Sequence, residues 1–179
     1  MNPRLNLRQA TPSDIPALES LIPLSARSLQ TGQYSAQQID AALGPVFGVD
    51  AQLISDGTYF AVEHSGQIIA SGGWSRRRAV FGGDRSRAGE HSLMDPSRDP
   101  ARIRAFFVHP DYARQGIGRS LLLASEEAIR AAGFQAVVLV ATLTGEPLYA
   151  AHGYSVRERY EIRLSDQLTL PVVRMFKCI

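Results

Sequence analysis

Apolar and polar positions change their period several times along the chain, and each change marks an element. "RLNLRQA" alternates briefly and predicts a first strand. "TPSDIPALESLI" carries helix-start chemistry, with Thr11 as N-cap, Pro12 at the first helical position and Asp14 in the first turn. From Ser35, "SAQQIDAALGPVF" spaces Ile39, Ala42 and Leu43 for a helix and breaks at Gly44-Pro45. "DAQLISDG" predicts one more short helix. "TYFAVEHSGQIIASGGWSRR" reads as two strands joined by a tight turn at Ser65-Gly66. From Arg77 to Pro100 no period is sustained, which predicts a long loop.

The second half is more regular. "ARIRAFFVHP" is a strand stopped by Pro110, and a helix follows from about Gly116 to Ala132. Ile117, Leu121, Leu122, Ser125, Ala128 and Ile129 form its apolar stripe, with Gly133 as the stop. "QAVVLVAT" is a continuous apolar run, the pattern of a strand buried on both faces. "EPLYAAHGY" fits a short helix. "YSVRERYEIRL" then alternates with Tyr154, Val156, Tyr160, Ile162 and Leu164 on one face, and "LPVVRMFKC" is the last strand. The fold class expected is α+β: a mixed, mostly antiparallel sheet with one central parallel β-α-β crossover, in a single domain over residues 1–179.

Composition narrows the function. With 179 residues, 45% of them hydrophobic, the chain is long enough to bury a core. No run approaches the ~18 apolar residues of a membrane helix, and the N-terminus lacks a signal-peptide core, so a cytoplasmic protein without a membrane partner is expected. A single cysteine, Cys178, excludes an internal disulfide and a zinc site built on paired cysteines. His64, His91, His109 and His152 show no metal-binding spacing, so no metal is expected. Eight arginines between Arg76 and Arg104 face only four carboxylates, which concentrates the basic character in one segment. A solvated loop is the first reading of that segment, and a pocket for an acidic or phosphorylated acceptor the second. Aromatic residues are too sparse around it, and the net charge of +2 too small, to predict nucleic-acid binding. Trp74, beside Gly72-Gly73, reads as a core or edge aromatic, with an acceptor pocket as the alternative.

The chemistry concentrates in "FFVHPDYARQGIGRSLL". Glycines at a helix start let bare backbone amides approach an anion at the positive end of the helix. A dinucleotide fingerprint needs a third glycine where this chain has Leu121. A P-loop needs Gly-Lys-Ser/Thr, and the only lysine is Lys177. The stretch instead resembles the cofactor motif of the GNAT superfamily of acyl-CoA-dependent N-acetyltransferases, in which Arg/Gln-x-x-Gly-x-Gly/Ala follows a strand ending in Val-x-Pro. The "ATPSDIPALESLI" opening, the Ser65-Gly66 hairpin and "LYAAHGY" extend the resemblance over most of the chain.

The resemblance implies transfer of an acetyl group from acetyl-CoA to a primary amine of a small molecule or peptide, by direct attack in a ternary complex. It implies that backbone groups of Phe106 and Val108 pair with the pantetheine arm. Amides of Arg114, Gln115, Gly116, Ile117, Gly118, Arg119 and Ser120 would cradle the pyrophosphate. Tyr149 falls on the tyrosine that protonates the departing thiolate in many relatives. A homodimer is left open. Two positions depart from the pattern. Ala113 stands where Arg or Gln is usual, and Arg102 occupies the place where some relatives carry a glutamate base. Glu63, Glu90, His91, Asp99 and His109 remain as alternatives, with the base unassigned. A catalytically silent acyl-CoA-binding regulatory module on the same fold is the alternative function.

Overall fold

A computed structural model of the protein describes residues 5–78 and 92–179. Strand β1 (Asn6–Gln9) leads through a 3-10 turn at Pro12–Asp14 into α1 (Ile15–Leu29). The Asp14 carboxylate accepts the Thr11 N–H at 2.7 Å and takes the Arg8 guanidinium at 2.8 and 2.9 Å, which ties strand to helix. The Arg8 guanidinium holds the Asp14 carboxyl down at about 2. Helix α1 runs on through Pro23, which lacks the N–H a helix interior needs. Burial of Leu18, Leu21, Ile22, Ser25 and Ala26 along one stripe outweighs that loss. Helix α2 (Ala36–Ala42) opens on a capping box, Ser35 accepting from the Gln38 N–H and Gln38 from the Ser35 N–H. Helix α3 (Ala51–Ser55) opens on the Asp50 carboxylate, which accepts the Leu53 N–H at 3.1 Å.

The other strands are β2 (Tyr59–His64), β3 (Gln67–Ser75), β4 (Ala101–Val108), β5 (Ala136–Thr142), β6 (Ser155–Arg163) and β7 (Thr169–Cys178). They form one seven-stranded sheet in the order β1-β2-β3-β4-β5-β7-β6. Every pairing is antiparallel except β4 with β5, which α4 (Ile117–Ala131) connects. The expected class, a mostly antiparallel mixed sheet with one parallel crossover, is the one observed. The β2–β3 turn has φ of +51° at Ser65 and +79° at Gly66, a twist that suits a two-residue hairpin. The segment read as a long loop is paired at its described ends. Arg77 bridges Leu93, and the Met94 N–H donates to the Arg76 carbonyl at 2.8 Å. The rest of that reading, with Glu90 and His91, lies outside the described residues.

One face of the sheet carries α1 and α2 over Tyr59, Ala61, Phe107, Leu170 and Val172. The other carries α4 over Ile69, Ile103, Val137, Leu139 and Met175. Two details depart from the hydrophobic pattern. The β6–β7 register slips between Val156 and Glu158, so Val156 turns outward and is 44% exposed. Glu126 joins the buried stripe of α4, where Lys177 and Tyr154 donate hydrogen bonds to its carboxylate. No described helix is long and apolar enough to cross a membrane.

The site is prepared by an irregularity in β4. Ser71 pairs with Phe107 but Gly73 with Arg104, so β4 places two residues opposite Gly72. Ala105 absorbs the extra residue with φ of +57°, a left-handed conformation unusual outside glycine. A Cβ on Gly72 would stand 2.2 Å from the Phe106 ring, so only glycine lets that ring lie across the neighbouring strand. Beyond the bulge β4 leaves β5. Their register covers Ala101 to Ile103 against Val137 to Leu139, while the ends of both strands diverge.

Candidate active site

A cleft of about 630 Å³ opens where β4 and β5 part. That volume suits a small-molecule ligand. Its floor is β4 from Ile103 to Val108 and β5 from Val140 to Thr142. The turn before α4 forms one end, α5 (Glu146–Ala150) overhangs the side, and α1 with the loop before α3 closes the other end.

The turn at the first end is built from backbone. Arg114 has φ of +63° and Gly116 of +83°, and Gly116 caps α4. The earliest helical bond from this turn is the Ser120 N–H to the Gly116 carbonyl at 3.0 Å. The N–H groups of Ile117, Gly118 and Arg119 are therefore first-turn donors without helical partners. Partial positive charge from the helix dipole adds to them. Arg114, Gly116, Ile117, Gly118 and Arg119 line the cleft, whereas Gln115 and Ser120 do not. The Ser120 amide expected in the cradle is used inside the helix, and its hydroxyl also turns to the Gly116 carbonyl at 3.3 Å. Gln115 directs its side-chain amide to the Asp111 carbonyl.

Phe106 and Val108 lie on the cleft floor. The neighbouring His109 N–H donates to the Ile69 carbonyl at 2.7 Å, so by strand alternation Val108 turns its N–H away from β3. There it donates to the Ser25 hydroxyl oxygen at 3.2 Å. Tyr149 lines the cleft from α5 and is 8% exposed, its ring against Phe106 and Tyr154. Burial pushes its phenol well above the ordinary range, so it carries its proton at neutral pH.

Arg102 lies outside the cleft lining, as do Glu63, Asp99 and His109. Glu63 is engaged by Arg8 at 3.2 Å. Trp74 is 5% exposed, packs against Phe134 and takes no part in the cleft. Among the described residues, the acid and base groups that do line it are Asp50 and His152, besides the tyrosines and arginines. Asp50 is 1% exposed and meets the Arg104 guanidinium at 2.9 Å. The His152 Nδ1 lies 2.8 Å from the Leu148 carbonyl. A carbonyl only accepts, so Nδ1 carries the hydrogen and a neutral ring leaves Nε2 with its lone pair. Ser25 of α1 and Gln30, which caps its end, also line the cleft, and the Gln30 Oε1 is buried with no hydrogen-bond partner among the described residues. Arg104 ends the arginine segment for which an acceptor pocket is the second reading, whereas sequence reasoning missed Ser25, Gln30, Asp50 and His152 in the cleft lining. Of these only His152, three positions after Tyr149 on one short segment, left a local signal.

Residues 55–156 match the family model described as an acetyltransferase (GNAT) domain. The chain belongs to the GNAT acetyltransferase family. Its fold is shared with other GNAT proteins of known structure. A GCN5-related N-acetyltransferase of Rhodopseudomonas palustris aligns over 100% of this chain and 97% of its own, at 20% identity and a TM-score of 0.72. The PaiA N-acetyltransferase of Thermoplasma acidophilum, in complex with coenzyme A, aligns over 98% and 99% at 14% identity and 0.66. A GNAT family acetyltransferase of Brucella melitensis, in complex with acetyl-CoA, aligns over 85% and 83% at 18% identity and 0.56. Comparison with curated proteins gives no match.

Proposed function

We propose that this GNAT chain is an N-acetyltransferase that moves the acetyl group of acetyl-CoA to a primary amine, with residues 1–179 acting as one domain. The observation that carries the reading is the alignment of three features along one cleft. These are a helix-start turn with open amides, a strand edge freed by the Ala105 bulge, and a buried protonated phenol at Tyr149. The cradle from Arg114 to Arg119 suits a pyrophosphate, and the floor at Phe106 and Val108 suits an extended arm laid along it. Acetyl-CoA supplies the activated acyl group as a thioester. The amine nitrogen attacks the carbonyl carbon, the Val108 amide supports the charge developing on its oxygen, and the carbon–sulfur bond breaks. Tyr149 gives its proton to the departing thiolate. CoA complexes of proteins sharing the fold support the cosubstrate.

Calorimetry with CoA and a thiol-release assay over a broad panel of amines test the reading. Wild type is expected to bind CoA and acetylate at least one amine. Tyr149→Phe is expected to lose about 10²-fold or more in kcat, as for other general acids. Its CoA affinity should stay within about threefold, well under the 1.4 kcal/mol of a tenfold change. Tight CoA binding with no acetylation of any amine by wild type would favour the silent acyl-CoA-binding module instead. No CoA binding would remove both.

A further inference from the structure

Ser25 stands in an unusual place. It interrupts the apolar stripe of α1 between Ile22 and Ala26, is 4% exposed and lines the cleft beside Val108. A serine inside a helix commonly turns its hydroxyl back to the carbonyl four residues earlier. Ser20 does so with Pro16 at 3.2 Å, and Ser120 with Gly116 at 3.3 Å. Ser25 makes no such bond. Among the described residues its one hydrogen bond is the N–H it accepts from Val108, which leaves its own hydrogen without an acceptor. A buried donor left in that state is costly. The cost falls at the strand-end amide on which an acyl oxygen would rest.

We propose that the Ser25 hydroxyl is the second donor to the thioester oxygen, acting with the Val108 N–H, an inference that rests on the acetyltransferase reading above. When the carbonyl oxygen takes the Val108 N–H, Ser25 loses its bond to that amide. A change of χ1 between staggered wells then turns its O–H to the same oxygen. Nothing covalent forms on Ser25. As the amine nitrogen bonds to the carbonyl carbon, the carbon–oxygen π pair moves onto oxygen and both donors support it. When the carbon–sulfur bond breaks, that pair returns to the carbonyl. The sulfur leaves with the bonding pair and takes the Tyr149 proton; the attacking nitrogen sheds one proton to solvent as it becomes the amide, and the Tyr149 phenolate regains one from solvent. In the resting chain the Ser25 oxygen holds the Val108 N–H, so both groups already stand beside the place of the acyl oxygen and the χ1 rotation is the one rearrangement required.

The carbonyl stretch of bound acetyl-CoA carrying carbon-13 at the thioester carbonyl tests this without any acceptor amine, since donors to the oxygen lower its frequency. Isotope-edited infrared spectra are compared for wild type, Ser25→Ala, Ser25→Cys, Ser25→Thr and Ser125→Ala. Cysteine keeps the size of serine with a much weaker donor, so it repeats the test should alanine loosen the helix. Ser125 is another buried helix serine, without a hydrogen-bond partner among the described residues, and it lies outside the cleft lining. The expected result is a downshift in wild type, Ser25→Thr and Ser125→Ala, with part of it lost in Ser25→Ala and Ser25→Cys. An unchanged downshift in Ser25→Ala would overturn the proposal. So would a larger one, because Ser25 would then only compete for the Val108 amide. Calorimetry on the same samples separates the two levels: if wild type fails to bind acetyl-CoA, the acetyltransferase reading itself fails and takes this inference with it.

Discussion

The two ends of the cleft are made of different material. At the α4 end the lining residues Ile117, Gly118 and Arg119 carry first-turn amides without helical partners, set by left-handed conformations at Arg114 and Gly116. At the α1 end the lining groups are the side chains of Ser25, Gln30, Asp50 and Arg104, from three separate segments. A backbone cradle depends on conformation more than on side-chain identity, so under the proposed function it would suit a common anionic group and tolerate Ala113. A side-chain wall depends on identity and on tertiary placement. Under the proposed function, the conformational end would take the shared cosubstrate and the chemical end would be left for the acceptor.

The largest expected effect follows from the buried pair at the side-chain end. Arg104 and Asp50 are 8% and 1% exposed and 2.9 Å apart. Removing one member of such a pair leaves a charge in low dielectric, at a cost of about 3–5 kcal/mol. Arg104→Met is therefore expected to lower the urea unfolding free energy by about that amount, with an unchanged m-value. Asp50→Asn in the same chain should recover much of it. A loss below about 1 kcal/mol, the scale of an exposed pair, would show that this end is not held by its ion pair.

Gly116→Val attacks the opposite end. An added Cβ would meet nothing within 4 Å, so space is not the constraint there; the φ of +83° is. A β-branched residue in that conformation costs about 1–3 kcal/mol, and the turn relieves it by moving its amides. CoA affinity by calorimetry should fall about 5- to 150-fold while the fold survives. Undiminished affinity would mean that the amides are not the cradle.

The same contrast explains what could be read in advance. The Ser65-Gly66 hairpin and the glycine cap of α4 are local, since each depends on residues within a few positions of one another, and the β-α-β crossover follows from three consecutive elements with clear periods. Ser25 meets Val108 across 83 positions of sequence, and Arg104 of β4 meets Asp50 at the start of α3. No local period reports such meetings. Pro23 hid the wall further, because a proline normally argues for a helix end and both Ser25 and Gln30 lie beyond it. Nor could the bulge be read, since Ala105 takes a conformation that its own side chain disfavours.

Asp14→Asn reaches the side-chain end through α1 alone. The carboxylate accepts the Thr11 N–H in the turn before α1 and holds Arg8, so its loss should cost about 1–2 kcal/mol at neutral pH. Its pKa is lowered in the folded chain from 3.8 to about 2, so its contribution is present above 3.8 and lost as pH falls through 2. Unfolding curves of wild type and variant should differ at pH 5 and converge near pH 2. A constant gap over that range would mean that the charge of Asp14 is not what anchors the helix.

The smallest effect is expected at Arg114, and it separates conformation from charge within the cradle. Glycine adopts the φ of +63° at no steric cost, which favours Arg114→Gly in the folded state. The greater freedom of glycine in the unfolded chain works against it, so net stability should change by less than about 1 kcal/mol. The substitution also deletes a cation at the cleft while leaving the amide where it was. If the cradle works through its backbone, CoA affinity should fall less than about threefold, and the loss should shrink as salt screens the lost charge. A tenfold loss that disappears in high salt would place the recognition on the guanidinium, and the two ends of the cleft would then differ less than their geometry implies.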